Sequence, residues 1–314
     1  MVPSPRAIWQ KMHSLIKRSI HHKDVTPKQS EHMNRWRQKL IQYLWPLTLV
    51  PLVSIALLVH HLLSISLVPI VKETQERTSL RLLTWNVGKI YLLWDSRVSD
   101  GDLQHIAAVI QEINPHLAAL QEFRDQAQLN RLMALLSKEW RGAITEDQYD
   151  RRAVLLSRLP SRFFPLPSST GREAQAAIID FHPGLQIGVV SLHLDAFDAN
   201  RRLLQAEEFY AGVLRLGENR FIMAGDFNMD PTITSQNSID QQLYQFLTRE
   251  MVDAAAQSGA TSLISRRLDY VFYRGLNVKR ASEYVIRDKR INMMDHDPVV
   301  VELVLQAHVT SEEN

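Results

Sequence analysis

The sequence predicts an α/β body with mixed β-sheets, carried behind a single membrane-spanning helix. Three observations predict it. From about residue 80, short β-rich runs alternate with amphipathic stretches. Some strands follow one another directly and others are separated by a helix, which favours mixed sheets over a doubly wound parallel sheet. Ahead of this body, residues 40–71 contain no Asp, Glu, Lys or Arg. Ahead of those, residues 1–39 carry nine Lys or Arg against Asp24 and Glu31, a net of +7.

With 314 residues, 45% of them hydrophobic, the chain is long enough for one large core and an appendage. It has no cysteine, which excludes a disulfide framework, a thiolate metal site and a cysteine nucleophile. The formal charge of +2 hides an asymmetry, because residues 40–314 hold 27 basic and 32 acidic residues, a net of −5. The basic character belongs to the tail and not to the folded body.

In chain order, residues 1–39 form a basic tail. Its Ile8, Trp9, Met12, Leu15, Ile16 and Ile20 recur at helical spacing with Lys11, Lys17 and Arg18 on other faces. That is the pattern of an amphipathic helix on anionic lipid, and a solvated tail without fixed structure fits the same composition. Residues 40–71 are the expected anchor. A spanning helix needs about 20 mainly apolar residues, and Leu47 to Pro69 supplies them. His60 and His61 are its weak point, since polar groups at depth are costly, and a buried core helix or a membrane-surface segment is the competing assignment. The preceding region is too long for a cleaved signal peptide, and no small-x-small site follows the run. Lys and Arg exceed acids before the run, against a mixed "KETQER" after it. This places the amino terminus in the cytoplasm and the body outside, in a bacterium on the periplasmic side of the inner membrane. A linker at 72–79, the body at 80–306 and a short tail at 307–314 complete the division.

Within the body, strands are expected at 81–87, 117–122, 153–157, 176–181, 187–194, 221–227, 268–273, 283–286 and 298–305. Helices fit at 100–113, 126–137, 199–215 and 238–250. The first opens on Ser99 followed by Asp102, a capping-box spacing, and stops before Pro115.

The run "IMAGDFNMD" (222–230) ends a strand on an acid and an amide two positions apart. Strand alternation would send Asp226 and Asn228 to one side and Phe227 into packing, with Gly225 allowing close backbone approach. A plain turn, reinforced by Pro231, explains the same residues. Other strand ends repeat the theme. Asn86 closes the first, Glu122 the second and His193 the fifth, Asp269 opens the seventh, and Asp295 with His296 precedes the last. Singly these read as a turn residue, a helix cap, a core histidine or a surface acid. Together they suit hydrolysis of a phosphate ester. Carboxylates such as Glu122 hold magnesium, which prefers oxygen ligands, with manganese as the alternative ion. Asp226, poised by Asn228, suits activation of the attacking water, and His193 and His296 suit donation to phosphate oxygens, His296 oriented by Asp269.

The motifs "TWNV", "LQE", "SLHLD", "GDFN", "LDYVF" and "DHDPVVVEL", in this order over residues 80–305, resemble those of the endonuclease/exonuclease/phosphatase superfamily, which includes DNase I and the neutral sphingomyelinases. The run "RRLDYVFYRGLNV" also resembles a membrane-anchored bacterial branch whose substrates are unassigned. The resemblance implies a four-layer sandwich, two mixed β-sheets flanked by helices, with the site at one end. It implies that Glu122 is the main metal ligand with Asn86 and Asp295 beside it, that His193 contacts phosphate, and that Asp226 with Asn228 handles the water. It pairs Asp269 with His296. Two departures are visible: Met294 stands where the pattern has Ser, and Arg152 where it has Gly, which makes Arg152 a candidate substrate contact.

The resulting expectation is a membrane-anchored, divalent-metal-dependent phosphodiesterase, nuclease-like or lipid-directed. The arginine pairs at 151–152, 201–202 and 266–267 suit a nucleic acid, although the body is net acidic. The anchor suits a phospholipid, and exposure of Tyr91, Trp94 or Phe197 would support it. The alternative is a catalytically silent, membrane-tethered binding module on the same fold. No protein partner is indicated.

Overall fold

The computed structural model describes residues 78–89, 98–146, 151–232, 238–289 and 294–306. The basic tail, the anchor expected at 40–71 and the tail at 307–314 lie outside the described residues. Among those described, no helix is long and apolar enough to cross a membrane.

Two βαβ units set the frame. In the first, β1 (Ser79–Asn86) runs parallel to β2 (Leu117–Phe123), with α1 (Asp100–Ile113) between them in the chain. The Ser99 hydroxyl accepts from the Asp102 amide at 3.3 Å while its own amide donates to Asp102 Oδ2 at 2.7 Å, so the capping box forms as the spacing predicts. After α2 (Gln126–Leu135), the antiparallel strands β3 (Arg141–Ile144) and β4 (Arg152–Ser157) widen that sheet. The strands β5 (Ser161–Pro167) and β6 (Glu173–His182) lead into the second unit. There β7 (Leu185–His193) and β8 (Phe221–Asp226) are again parallel around α3 (Ala199–Arg215). The chain ends through α4 (Ile239–Glu250), β9 (Val252–Asp253), β10 (Asp269–Arg274), β11 (Val278–Val285) and β12 (Val299–Leu305).

These strands form two six-stranded mixed sheets, in the orders β11-β12-β1-β2-β4-β3 and β5-β6-β7-β8-β10-β9. Alternation sorts their side chains into layers. Leu80, Leu82 and Ala119 meet Ile187, Val189 and Ile222 between the sheets. On the opposite faces Leu83, Trp85 and Leu120 cover Ile106 and Ile110 of α1 and Leu132 of α2, while Val190, Leu192 and Met223 cover Phe209 of α3 and Leu247 of α4. The order helices, sheet, sheet, helices is the expected sandwich. Both faces of the central strands are buried, which is why "LAAL" of β2 and "FIMA" of β8 read as continuous apolar runs.

Three strands escape the sequence reading: β3, β5 and β9. Each lies at a sheet edge. Strand β5 contains Pro165 and Pro167, which only an edge position tolerates because proline offers no amide to a second neighbour.

Candidate active site

The two units bring their strand ends to one pole. His193 ends β7 opposite Asp226 of β8, and antiparallel β10 opens with Asp269 opposite the same residue. Asn86, at the end of β1, reaches across from the other sheet. Its Nδ2 donates to Asp226 Oδ2 at 2.9 Å and to Glu122 Oε1 at 3.2 Å, so one amide joins the acids of both units. Asp226 Oδ2 also lies 3.6 Å from His193 Nε2 and 3.7 Å from His296 Nε2. His296 Nδ1 stands 2.8 Å from Asp269 Oδ2, which accepts from Thr261 Oγ1 at 2.6 Å. The indole of Trp85, one residue before Asn86, donates to the His296 carbonyl at 3.1 Å and fixes that loop against β1.

Two of the four left-handed non-glycine residues among those described lie here. Glu122 and Asn228 have φ of 67° and 50°, left-handed values for residues other than glycine. Each such conformation costs about 1–3 kcal/mol and persists only where the surroundings over-determine it. Glu122 is held by Asn86 on one oxygen and by Arg151, whose Nη1 donates to Oε2 at 2.6 Å, on the other. Gly88 makes room for that carboxylate, since a Cβ there would overlap Glu122 Oε2.

Asn228 corrects one expectation. Strand β8 ends at Asp226, so alternation does not carry on to residue 228. The Asn228 backbone amide donates to Asp226 Oδ1 at 2.8 Å, while its side-chain amide turns to the Leu194 carbonyl at 3.1 Å. The turn and the site are therefore one feature, an Asp side chain capping its own turn. Phe227 packs into the helix-side core as expected, edge-on to Tyr270 and Phe272.

The buried charges are unequal. Burial pushes the Asp226 carboxyl up to about 7, with the Asp269 charge adding to the rise and the His296 charge opposing it. Burial alone would lower His296, but the Asp269 and Asp226 carboxylates outweigh it and hold the imidazole well above its ordinary value. Burial keeps His193 well below that value, aided by the Arg172 and Arg151 charges. The two imidazoles are thus pushed apart, His296 toward its charged form and His193 toward its neutral one. The Nδ1 of His193 is buried without a partner among the described residues.

Two sets of donors face a cation differently. Asp226, Asp269 and His296 each place one ligand-type atom within 4.8 Å of the others. In this set His296 Nδ1 is taken up by Asp269, which leaves Nε2 to face a cation or a phosphate oxygen. On the other side Glu122 is raised by burial, and the charge of the half-buried Asp295 adds to the rise. Hard carboxylate oxygens such as these suit magnesium or manganese. Asn86 turns its nitrogen to Glu122 and Asp226, and its Oδ1 accepts from the Gly88 amide at 2.9 Å.

The sequence matches the model of the endonuclease/exonuclease/phosphatase family over residues 83–292. The chain belongs to this family. Its members are generally hydrolases of phosphoester bonds and usually use a divalent metal. No curated protein matches the sequence. Among solved structures, a functionally unknown conserved protein from Enterococcus faecalis V583 superposes with a TM-score of 0.57 at 16% identity, over 72% of this chain and 100% of that one. Truncated TDP2 from Caenorhabditis elegans gives 0.55 at 14% identity, over 72% and 98%. A family protein from Bacteroides vulgatus gives 0.54 at 18%, over 73% and 100%. At these identities the likeness is one of fold.

Within this endonuclease/exonuclease/phosphatase body, several neighbours of the site are invisible in the motifs. Arg151 holds Glu122, whereas the expected Arg152 opens β4 opposite Phe123. The "RR" pair signalled a cation here, and the strand register decides which of the two faces the acid. Thr261 and Trp85 act through contacts 8 and 211 residues apart in sequence, which no local pattern marks. Met294, the departure from Ser, is buried in the core beside α1. Tyr91 and Trp94 lie outside the described residues. Phe197 is 88% exposed.

Proposed function

We propose that this chain hydrolyses a phosphodiester by water attack, with a divalent cation held by Glu122 and Asp295. The observation that carries the reading is the single Asn86 amide shared by Glu122 and Asp226, which ties an acid suited to a cation to an acid suited to a proton. A bound cation supplies neutralisation of the phosphoryl oxygens and of the leaving oxygen. The chain's own groups do the rest. Ionised Asp226 takes a proton from the water as its oxygen bonds to phosphorus and the ester oxygen departs. Charged His296, oriented by Asp269, donates to a phosphate oxygen, and His193, whose Nε2 faces Asp226, offers a second contact. Asn86 and the Asn228 amide hold Asp226 in place.

The anchor at 40–71, with the amino terminus in the cytoplasm and the body outside, belongs to the same proposal and is supported by the tail's charge. The absence of cysteine allows a direct test. Asn314→Cys should react with a membrane-impermeant maleimide added to intact cells, and Ser4→Cys only after lysis. The reverse pattern would invert the topology.

For the chemistry, the full-length protein is assayed with magnesium or manganese against plasmid DNA, RNA, sphingomyelin vesicles, inositol phosphates and a chromogenic phosphodiester. Asp226→Asn and His296→Ala serve as controls. Cleavage by wild type and its loss in both variants is expected. Equal cleavage by the variants would sink the site assignment. One observation favours the catalytically silent module, namely the guanidinium already seated on Glu122. Intact substrates throughout would decide for it.

A further inference from the structure

Arg151 has a role that neither the motifs nor the strand pattern assigns. Its Nη1 meets Glu122 Oε2 at 2.6 Å, and its side chain is 24% exposed against 11% for Glu122, so it covers the acid from the solvent side. Its charge acts on Glu122, His193 and Asp295 together. The residue therefore sits between the donors suited to a cation and the histidine suited to a phosphate.

A guanidinium and a divalent cation cannot share one carboxylate oxygen without strong repulsion, and arginine cannot discharge by losing its proton. A cation that takes Glu122 Oε2 must move the arginine. Its backbone leads directly into β4 at Arg152, which pairs with Phe123 beside Glu122, so the released fork remains within the site. Of the groups expected there, the substrate phosphate is the anion that a planar guanidinium binds in two-pronged fashion.

We propose that Arg151 is a displaceable counter-ion: it neutralises Glu122 before a cation arrives, yields the carboxylate to the cation, and then grips the substrate phosphate. The proposal rests on the reading of Glu122 as a cation ligand. It makes cation and phosphate binding mutually dependent, and it makes Arg151 a positioning group for the phosphate.

The test is calorimetric. Full-length wild type, Arg151→Gln and Arg151→Lys are titrated with manganese alone, and the manganese-loaded proteins are then titrated with inorganic phosphate. An opposite charge at this range shifts a carboxylate equilibrium by about one to three powers of ten. Arg151→Gln should therefore bind manganese on the order of tenfold tighter, and phosphate weaker by a similar factor. Arg151→Lys keeps the charge without the fork, so its manganese affinity should stay near wild type while its phosphate affinity falls. In a Glu122→Gln background the gain from Arg151→Gln should vanish. Equal or weaker manganese binding by Arg151→Gln overturns the proposal, as does a gain that survives in Glu122→Gln or a wild type that binds no manganese. A wild type that binds manganese but cleaves no ester would instead defeat the functional reading, and leaves these titrations interpretable.

Discussion

Glu122 and Asp226 lie at the ends of the second strands of the two βαβ units and share the Asn86 amide, yet their surroundings differ. Glu122 faces a guanidinium and keeps some exposure, whereas Asp226 is sealed in and faces two imidazoles. Both carboxyls are raised by burial. What differs is the neutralising partner. A guanidinium holds a fixed charge that another cation can replace, while an imidazole exchanges protons near neutral pH. Equivalent strand ends in the two units thus suit one acid to a metal and the other to a proton.

The largest expected effect tests the proton side. Asp226→Asn keeps the size and removes the base, so kcat should fall by about 10²–10⁴-fold, with manganese affinity unchanged by calorimetry. Loss of manganese binding would move Asp226 to the cation side and erase the contrast. Glu122→Gln should behave in the opposite way. Its manganese affinity should drop at least about 10–100-fold, the loss typical of groups that merely support a ligand, and saturating manganese should recover much of the rate. A kcat that stays low at saturation would make Glu122 more than a cation ligand.

A pH profile sharpens the same comparison with a smaller effect. The reaction needs Asp226 ionised and His296 protonated, so kcat/KM should rise through about pH 7 and fall again where His296 loses its proton. Asp269 raises both groups. Asp269→Asn should therefore move both limbs to lower pH, the alkaline limb clearly so, in profiles measured on the chromogenic diester. An alkaline limb that stays in place would remove His296 from the reaction. The smallest effect concerns neither acid. Phe197→Ala, at a side chain 88% exposed, should change stability by less than about 0.5 kcal/mol and leave the soluble diester rate alone. A fall in rate on sphingomyelin vesicles only would mark a lipid-directed face, and equal rates on both would discount one.

The legibility of the fold followed burial. Helices α1 and α3 match their expected spans end to end because an apolar stripe and a cap residue, Ser99 or Asp198, bound each of them. The central strands were readable because both faces are buried. The edge strands β3, β5 and β9 were not, and β11, also an edge, was expected only near its end. An edge strand keeps one face or one ladder in water and loses the hydrophobic pattern that a reader relies on.

By itself the sequence determined which chemical groups the chain owns and that they stand at strand ends. Strand alternation and apolar runs are local, and local forces suffice to set them. The tertiary structure alone decided which groups meet: Asn86 with Asp226 across 140 residues, Thr261 behind the Asp269–His296 pair, and Arg151 rather than Arg152 on Glu122. It also decided that Asn228 serves through its backbone, because the strand ends two residues earlier. Charge and proton affinity in this site come from what surrounds each group once water is excluded, and that neighbourhood exists only after the two sheets have closed on each other.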